Sequence, residues 1–158
     1  FRNYQDTILL VDKGEKQVSS TIGHDLMHGH PFAEKRFDQA HENLDALIKI
    51  FESGDLNEFI KIVESEALTL HAMMMSSLPY FILMKPNTLE VIQRVLEYRR
   101  DTKLPISFTL DAGSNVHLLY PNSVKTSIHK FIEGDLLKFC KSKIHIHDSL
   151  GMGSEKLL

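Results

Sequence analysis

Asp111 closes the most regular stretch of the chain. In Ile106-Ser107-Phe108-Thr109-Leu110-Asp111 apolar and polar residues alternate strictly, so Ile106, Phe108 and Leu110 share one face of a strand and Ser107, Thr109 and Asp111 the other. Ala112-Gly113-Ser114-Asn115 makes a short glycine-containing connection to Val116-His117-Leu118-Leu119-Tyr120, and the two runs are predicted to form a β-hairpin. A carboxylate at such a strand end can be held rigidly against a ligand, and Gly113 lets that ligand approach the backbone closely. A turn aspartate satisfying neighbouring N–H groups is the plainer alternative. Pattern alone leaves both open.

Ser19-Ser20-Thr21-Ile22-Gly23 clusters hydroxyls and backbone N–H groups beside a glycine, a composition suited to phosphate or carboxylate oxygens. An ordinary capped turn has the same composition, and the Gly-Lys-Ser/Thr ending of a P-loop is absent. His24, His28 and His30 follow. Imidazoles suit zinc, copper or nickel, but only Asp25 is near enough to complete a set, so no metal site is expected and these histidines read as surface or ligand-facing groups. His145 and His147 alternate with Ile144 and Ile146 and read as a solvated sheet face. His71 reads as a packed, hydrogen-bonded histidine beside the Met73-Met74-Met75 core filler. Cys140 has no base partner in its segment and is a poor nucleophile.

The elements that must position these groups follow from periodicity. Thr7–Asp12 reads as a buried strand ended by Lys13-Gly14, and Ser19–His30 as a loop. Pro31 opens a helix carrying Phe32, Phe37, Ala40, Leu44, Leu47, Ile48 and Phe51, stopped by Gly54. Asp55 caps a second helix whose stripe is Leu56, Phe59, Ile60, Val63, Ala67 and Leu70. A third starts at Asn87 or Thr88 with Leu89, Ile92, Val95 and Leu96 inward, ending before Pro105. Beyond the hairpin, Ser123 caps a helix that Gly134 interrupts, and Lys143–His147 alternates as a last strand. Strand, three helices, two strands, helix, strand is the split βαβ plan. The predicted fold is therefore α+β and ferredoxin-like: an antiparallel four-stranded sheet, helices on one face, and an enlarged helical first crossover.

Bulk properties narrow the function. The 158 residues fit one domain at roughly 150 residues each. Eighteen Lys+Arg against 21 Asp+Glu give a net charge of −3, which argues against a nucleic-acid partner. No apolar run approaches the ~18 residues of a membrane span, so no membrane partner is expected. One cysteine forms no internal disulfide, and a reducing, cytoplasmic setting is expected.

Taken together, Val18–Gly23, Leu70-His71-Ala72 and Phe108–Asn115 resemble, in order and spacing, the C-terminal half of mevalonate diphosphate decarboxylase, a family of the GHMP kinase superfamily. The resemblance covers roughly residues 5 to 155 and is most specific around Asp111. It implies ATP-dependent conversion of mevalonate 5-diphosphate to isopentenyl diphosphate. In that family the aspartate of the Asp-Ala-Gly motif lies beside the substrate's C3 hydroxyl, a position held here by Asp111. Ser20, Thr21, Gly23 and His24 fall in the segment lining the substrate site, and Ala112 and Gly113 offer backbone to the substrate. Ser114 stands where the family often has proline.

The resemblance also implies partners. ATP and Mg²⁺ belong mainly to an N-terminal domain absent from this chain, so residues 1–158 are expected to be a C-terminal GHMP-type domain that does not turn over alone; homodimers are common in the family. Two alternatives remain. One is a GHMP-family small-molecule kinase, and the other a non-catalytic interaction or metal-binding domain whose site would be His24, His28 and His30.

Overall fold

The computed structural model describes residues 1–14 and 25–151. Ser20, Thr21, Gly23 and His24 lie outside the described residues. Four strands, β1 (Tyr4–Leu9), β2 (Ser107–Leu110), β3 (Val116–Pro121) and β4 (His145–Ser149), form one sheet in the order β2-β3-β1-β4, every neighbour antiparallel. This is the split βαβ order. Three helices, α1 (Ala33–Ser53), α2 (Leu56–Ser76) and α3 (Pro86–Thr102), form the enlarged first crossover, and α4 (Lys125–Phe131) runs on through a wide turn at Ile132–Leu136 into the second.

Alternation along the strands sorts the side chains into two faces. Leu9, Thr7, Val116, Leu118, Tyr120, Phe108 and Leu110 point to the first, where Val91, Ile92 and Val95 of α3 and Ile128, Phe131, Ile132 and Leu136 from the α4 segment close over them. On the second face Tyr4 and Leu119 meet Ile50 of α1 and Phe59 of α2 in a smaller cluster. Beyond that cluster the second face carries Asp6, Ile8, Thr109 and His117.

Local signals explain the helix boundaries. The Asp55 carboxylate accepts from the backbone N–H groups of Asn57 and Glu58 at 3.0 and 3.1 Å, and Gly54 ends α1 at φ 75°. α3 starts earlier than the sequence suggests, with Pro86 at its first turn, where a missing N–H costs nothing. Its buried stripe is Thr88, Val91, Ile92 and Val95, while Leu89 and Leu96 are exposed; the helix is rotated by about one residue from the periodicity reading. Ser123 makes no capping bond, since a short 3₁₀ turn at Asn122–Val124 precedes α4.

β1 and β4 also differ from expectation in extent. β1 begins at Tyr4, because the polar residues Gln5 and Asp6 pair as well as the aliphatic run does, and Val11 is buried beyond the strand's end. In β4 the register sets His147 opposite Thr7. His147 Nδ1 lies 2.9 Å from the buried Thr7 hydroxyl and its ring stacks on His129 at 4.1 Å, so this histidine ties the edge strand down although both it and Ile146 are exposed.

Candidate functional site

The hairpin tip Asp111–Asn115 is held from four directions. His71, buried on α2, donates from Nε2 to the Asp111 carbonyl at 3.0 Å. Thr88, in the first turn of α3, donates its hydroxyl to the Ser114 carbonyl at 2.7 Å. The Asn115 side-chain oxygen accepts from the Asp12 N–H at 3.1 Å. Ala112 packs in a cluster with Met74, Leu83, Phe81, Leu26 and Met27.

Two of these holds have a further meaning. Asp12 and Gly14 precede the segment that contains Ser20, Thr21, Gly23 and His24; Leu26 and Met27 follow it. Both described flanks of that segment are thus fastened to the tip that bears Asp111. Asp12 is itself ordered by Gly14, whose N–H reaches its carboxylate at 3.0 Å and holds its pKa below the usual range.

Asp111 is exposed at the end of β2. Its carboxylate lies over Gly113: a Cβ built there would stand 3.1 Å from Asp111 Oδ1. Gly113 is the residue that leaves room for this carboxylate, and its N–H donates back to the Asp111 carbonyl at 2.7 Å. Burial lowers the pKa of His71, so it holds the tip as a neutral donor.

A longer-range frame sets the height of β2 against α2. Glu64 accepts from both Nη atoms of Arg99 at 2.5 and 2.9 Å and from the Phe108 N–H at 3.3 Å, while Arg99 Nη1 also donates to the Ile106 carbonyl at 2.7 Å. Glu64 and His71 are seven residues apart on a helix, about 10.5 Å, and their targets Phe108 and Asp111 are three residues apart on extended chain, about 10 Å. The match lets one helix grip both ends of the strand.

The histidine reading changes. His30 is buried; Phe32 N–H donates to its Nδ1 at 3.2 Å and its Nε2 lies 3.2 Å from Ser76 Oγ. Both ring nitrogens are engaged at the start of α1, which removes His30 from any ligand set. Among the described residues no group of three or more His, Cys, Asp or Glu is arranged to hold a metal. Burial pushes the Cys140 thiol up to about 11, in keeping with an unreactive cysteine. An apolar cavity of about 600 Å³, lined by Phe1, Tyr4, Phe51, Phe59 and Leu119, lies at the opposite end of β1 from Asp111.

Fold and site define a split βαβ domain that presents a strand-end carboxylate from a clamped hairpin. The mevalonate 5-diphosphate decarboxylase C-terminal domain model matches residues 7–150, and the chain belongs to that family. No curated protein matches the chain in sequence. Similar solved structures include mevalonate pyrophosphate decarboxylase from Streptococcus pyogenes (TM-score 0.85, 17% identity, 98% of this chain and 46% of that one) and a mevalonate diphosphate decarboxylase from Legionella pneumophila (TM-score 0.82, 25% identity, 92% and 45%). MDDEF in complex with MVAPP, AMPPCP and magnesium is a third (TM-score 0.80, 21% identity, 92% and 43%). The chain spans less than half the length of each. No helix is long and apolar enough to cross a membrane among the described residues.

Proposed function

We propose that this domain supplies the reacting carboxylate of an ATP-dependent decarboxylase that converts mevalonate 5-diphosphate to isopentenyl diphosphate, with ADP, phosphate and carbon dioxide as co-products. The observation that carries the reading is Asp111: exposed, aimed past Gly113, and fixed on a tip to which both flanks of the Ser20–His24 segment are fastened. Family membership supports the substrate, and the MDDEF complex supports a nucleotide and Mg²⁺ in the full-length protein.

A tertiary alcohol is a poor leaving group until it is phosphorylated. In the proposed sequence Asp111 accepts the proton of the C3 hydroxyl as that oxygen bonds to the terminal phosphoryl group of ATP, releasing ADP. Departure of phosphate then leaves positive charge at C3. The C–C bond to the carboxylate breaks, its electron pair forms the alkene, and carbon dioxide leaves. The Asp111 carboxylate favours that cationic centre electrostatically. Ser20, Thr21, Gly23 and His24, with Ala112 and Gly113 backbone, line the substrate in this reading. ATP and Mg²⁺ are held by an N-terminal domain outside residues 1–158, and Mg²⁺ neutralises charge on the transferred phosphoryl group. A cytoplasmic homodimer completes the reading.

The test is product analysis on the full-length protein with mevalonate 5-diphosphate, ATP and Mg²⁺. Carbon dioxide and isopentenyl diphosphate should appear in equal amounts. ADP with a stable phosphorylated product and no carbon dioxide would identify a kinase instead. Gly113→Ala offers a finer check, because its methyl group meets Asp111 Oδ1 at 3.1 Å and displaces it by a few tenths of an ångström. With ~10²-fold lost per ångström of misplacement, turnover should fall several-fold without a matching change in melting temperature; unchanged turnover would mean that the carboxylate's position does not matter.

A further inference from the structure

Beyond the aromatic cluster, the second sheet face has an unusual charge balance among the described residues. Alternation places Asp6 of β1, Asp148 of β4 and Asp111 at the end of β2 on that face. The four strands contain no lysine or arginine. Asp6 and Asp111 flank His117 on that face, and among the strand side chains there His117 is the one able to answer an anionic substrate with positive charge.

His117 sits between these carboxylates. It pairs across the ladder with Ile8 on one side and Thr109 on the other, so Asp6 and Asp111 occupy opposite diagonals around it, at separations of ~7–8 Å that long side chains bridge. Its Nδ1 donates to Asp6 Oδ2 at 2.9 Å, with Oδ1 at 3.2 Å. The ring is half-buried and so is Asp6. Tethering Nδ1 to Asp6 fixes the tautomer and leaves Nε2, on the far edge of the ring, without a hydrogen bond among the described residues.

We propose that His117, clamped by Asp6, is a further binding residue of this site: its protonated ring donates Nε2–H to an anionic oxygen of the substrate lying against Asp111. The inference rests on the reading of Asp111's face as the substrate site. The hydrogen bond to Asp6 raises the His117 pKa, aided by the charges of Asp6 and Asp111 and opposed by burial. The imidazolium is therefore retained above the ordinary histidine value of about 6.5 and is lost as pH rises through the raised value. Binding should weaken along the same course.

Equilibrium binding to the full-length protein, measured without ATP between about pH 6 and about pH 9, tests this without requiring turnover. Mevalonate 5-diphosphate should bind about 10- to 100-fold more weakly once His117 is neutral, the range of one hydrogen bond to a charged group. His117→Gln should bind weakly throughout and lose that pH dependence, while Asp6→Asn should move the transition to lower pH. Isopentenyl diphosphate, which lacks the carboxylate, identifies the oxygen: a parallel loss assigns His117 to the diphosphate, and an unaffected affinity assigns it to the carboxylate. Wild-type affinity and pH dependence in His117→Gln would overturn the inference. Failure of wild-type protein to bind mevalonate 5-diphosphate at all would instead overturn the reading of the site.

Discussion

Asp111→Asn in the full-length protein is expected to lower turnover by about 10²- to 10⁴-fold, the contribution of a positioned proton acceptor, while nucleotide affinity changes less than about twofold, within ~0.4 kcal/mol. The amide keeps the shape of the carboxylate but neither accepts the proton of the C3 hydroxyl nor favours positive charge at C3. The fold is not at risk, because His71 and Gly113 bind the main-chain oxygen of residue 111 and Thr88 and Asn115 hold its neighbours. Melting should therefore stay within ~2 °C of wild type, below the shift from one lost kcal/mol. Phosphate release at saturating substrate reads the first effect and calorimetry the second. Turnover within tenfold of wild type would remove Asp111 from the chemistry.

The part of the fold that presents Asp111 was the most legible in the sequence. Strict alternation from Ile106 to Asp111 and the Ala-Gly-Ser-Asn connection define β2, β3 and their turn, and the structure trims only Ile106 and Asp111 from the ladder. The first helix was legible as an element but not as a packed one. Phe37, Leu44, Ile48 and Phe51 have helical spacing, yet each is more than half exposed, and only Ala33 and Ile50 of α1 are buried. Periodicity reports that apolar residues share a face; it carries no information about what covers that face.

The supporting contacts were less legible, because each joins residues far apart in the chain. Asp6 meets His117 across 111 residues and Glu64 meets Arg99 across 35. A local signal for two of them did exist. Ile60, Glu64, Ala67, His71 and Met74 recur at steps of three and four and are all buried on α2. Two polar side chains inside such a stripe need partners: Glu64 finds Arg99 of α3 and the Phe108 N–H of β2, and His71 the Asp111 carbonyl just past that strand. The stripe through Leu56, Phe59, Ile60, Val63, Ala67 and Leu70 passes over Glu64 by following hydrophobicity alone, whereas His71 reads from the sequence as a packed, hydrogen-bonded histidine and is one. His145 and His147 are legible in part: the edge strand is largely solvated, with His145 half-buried and His147 exposed, while the contacts of His147 to Thr7 and His129 join distant parts of the chain.

Glu64→Ala is expected to give the largest loss of stability among single substitutions near the site. The carboxylate answers three donors, and its removal leaves the Arg99 guanidinium with only the Ile106 carbonyl and the Phe108 N–H with no partner in a buried position. Breaking a buried ion pair by removing one partner costs about 3–5 kcal/mol; with the Arg99 side chain 24% exposed to screening solvent, the lower end applies. A loss of about 3 kcal/mol corresponds to about 6–12 °C in melting temperature for a domain of this size. The difference should survive high salt, since a pair this enclosed is weakly screened. Glu64→Met combined with Arg99→Leu should recover much of the loss, because it removes the stranded charge together with its partner. Function should follow stability here, unlike in Asp111→Asn: once Phe108 is released, α2 keeps one polar hold on the strand that ends at Asp111, from His71, and turnover falls even below the melting transition. A melting temperature within ~2 °C of wild type for Glu64→Ala would show that the strand is seated by its hydrophobic contacts alone.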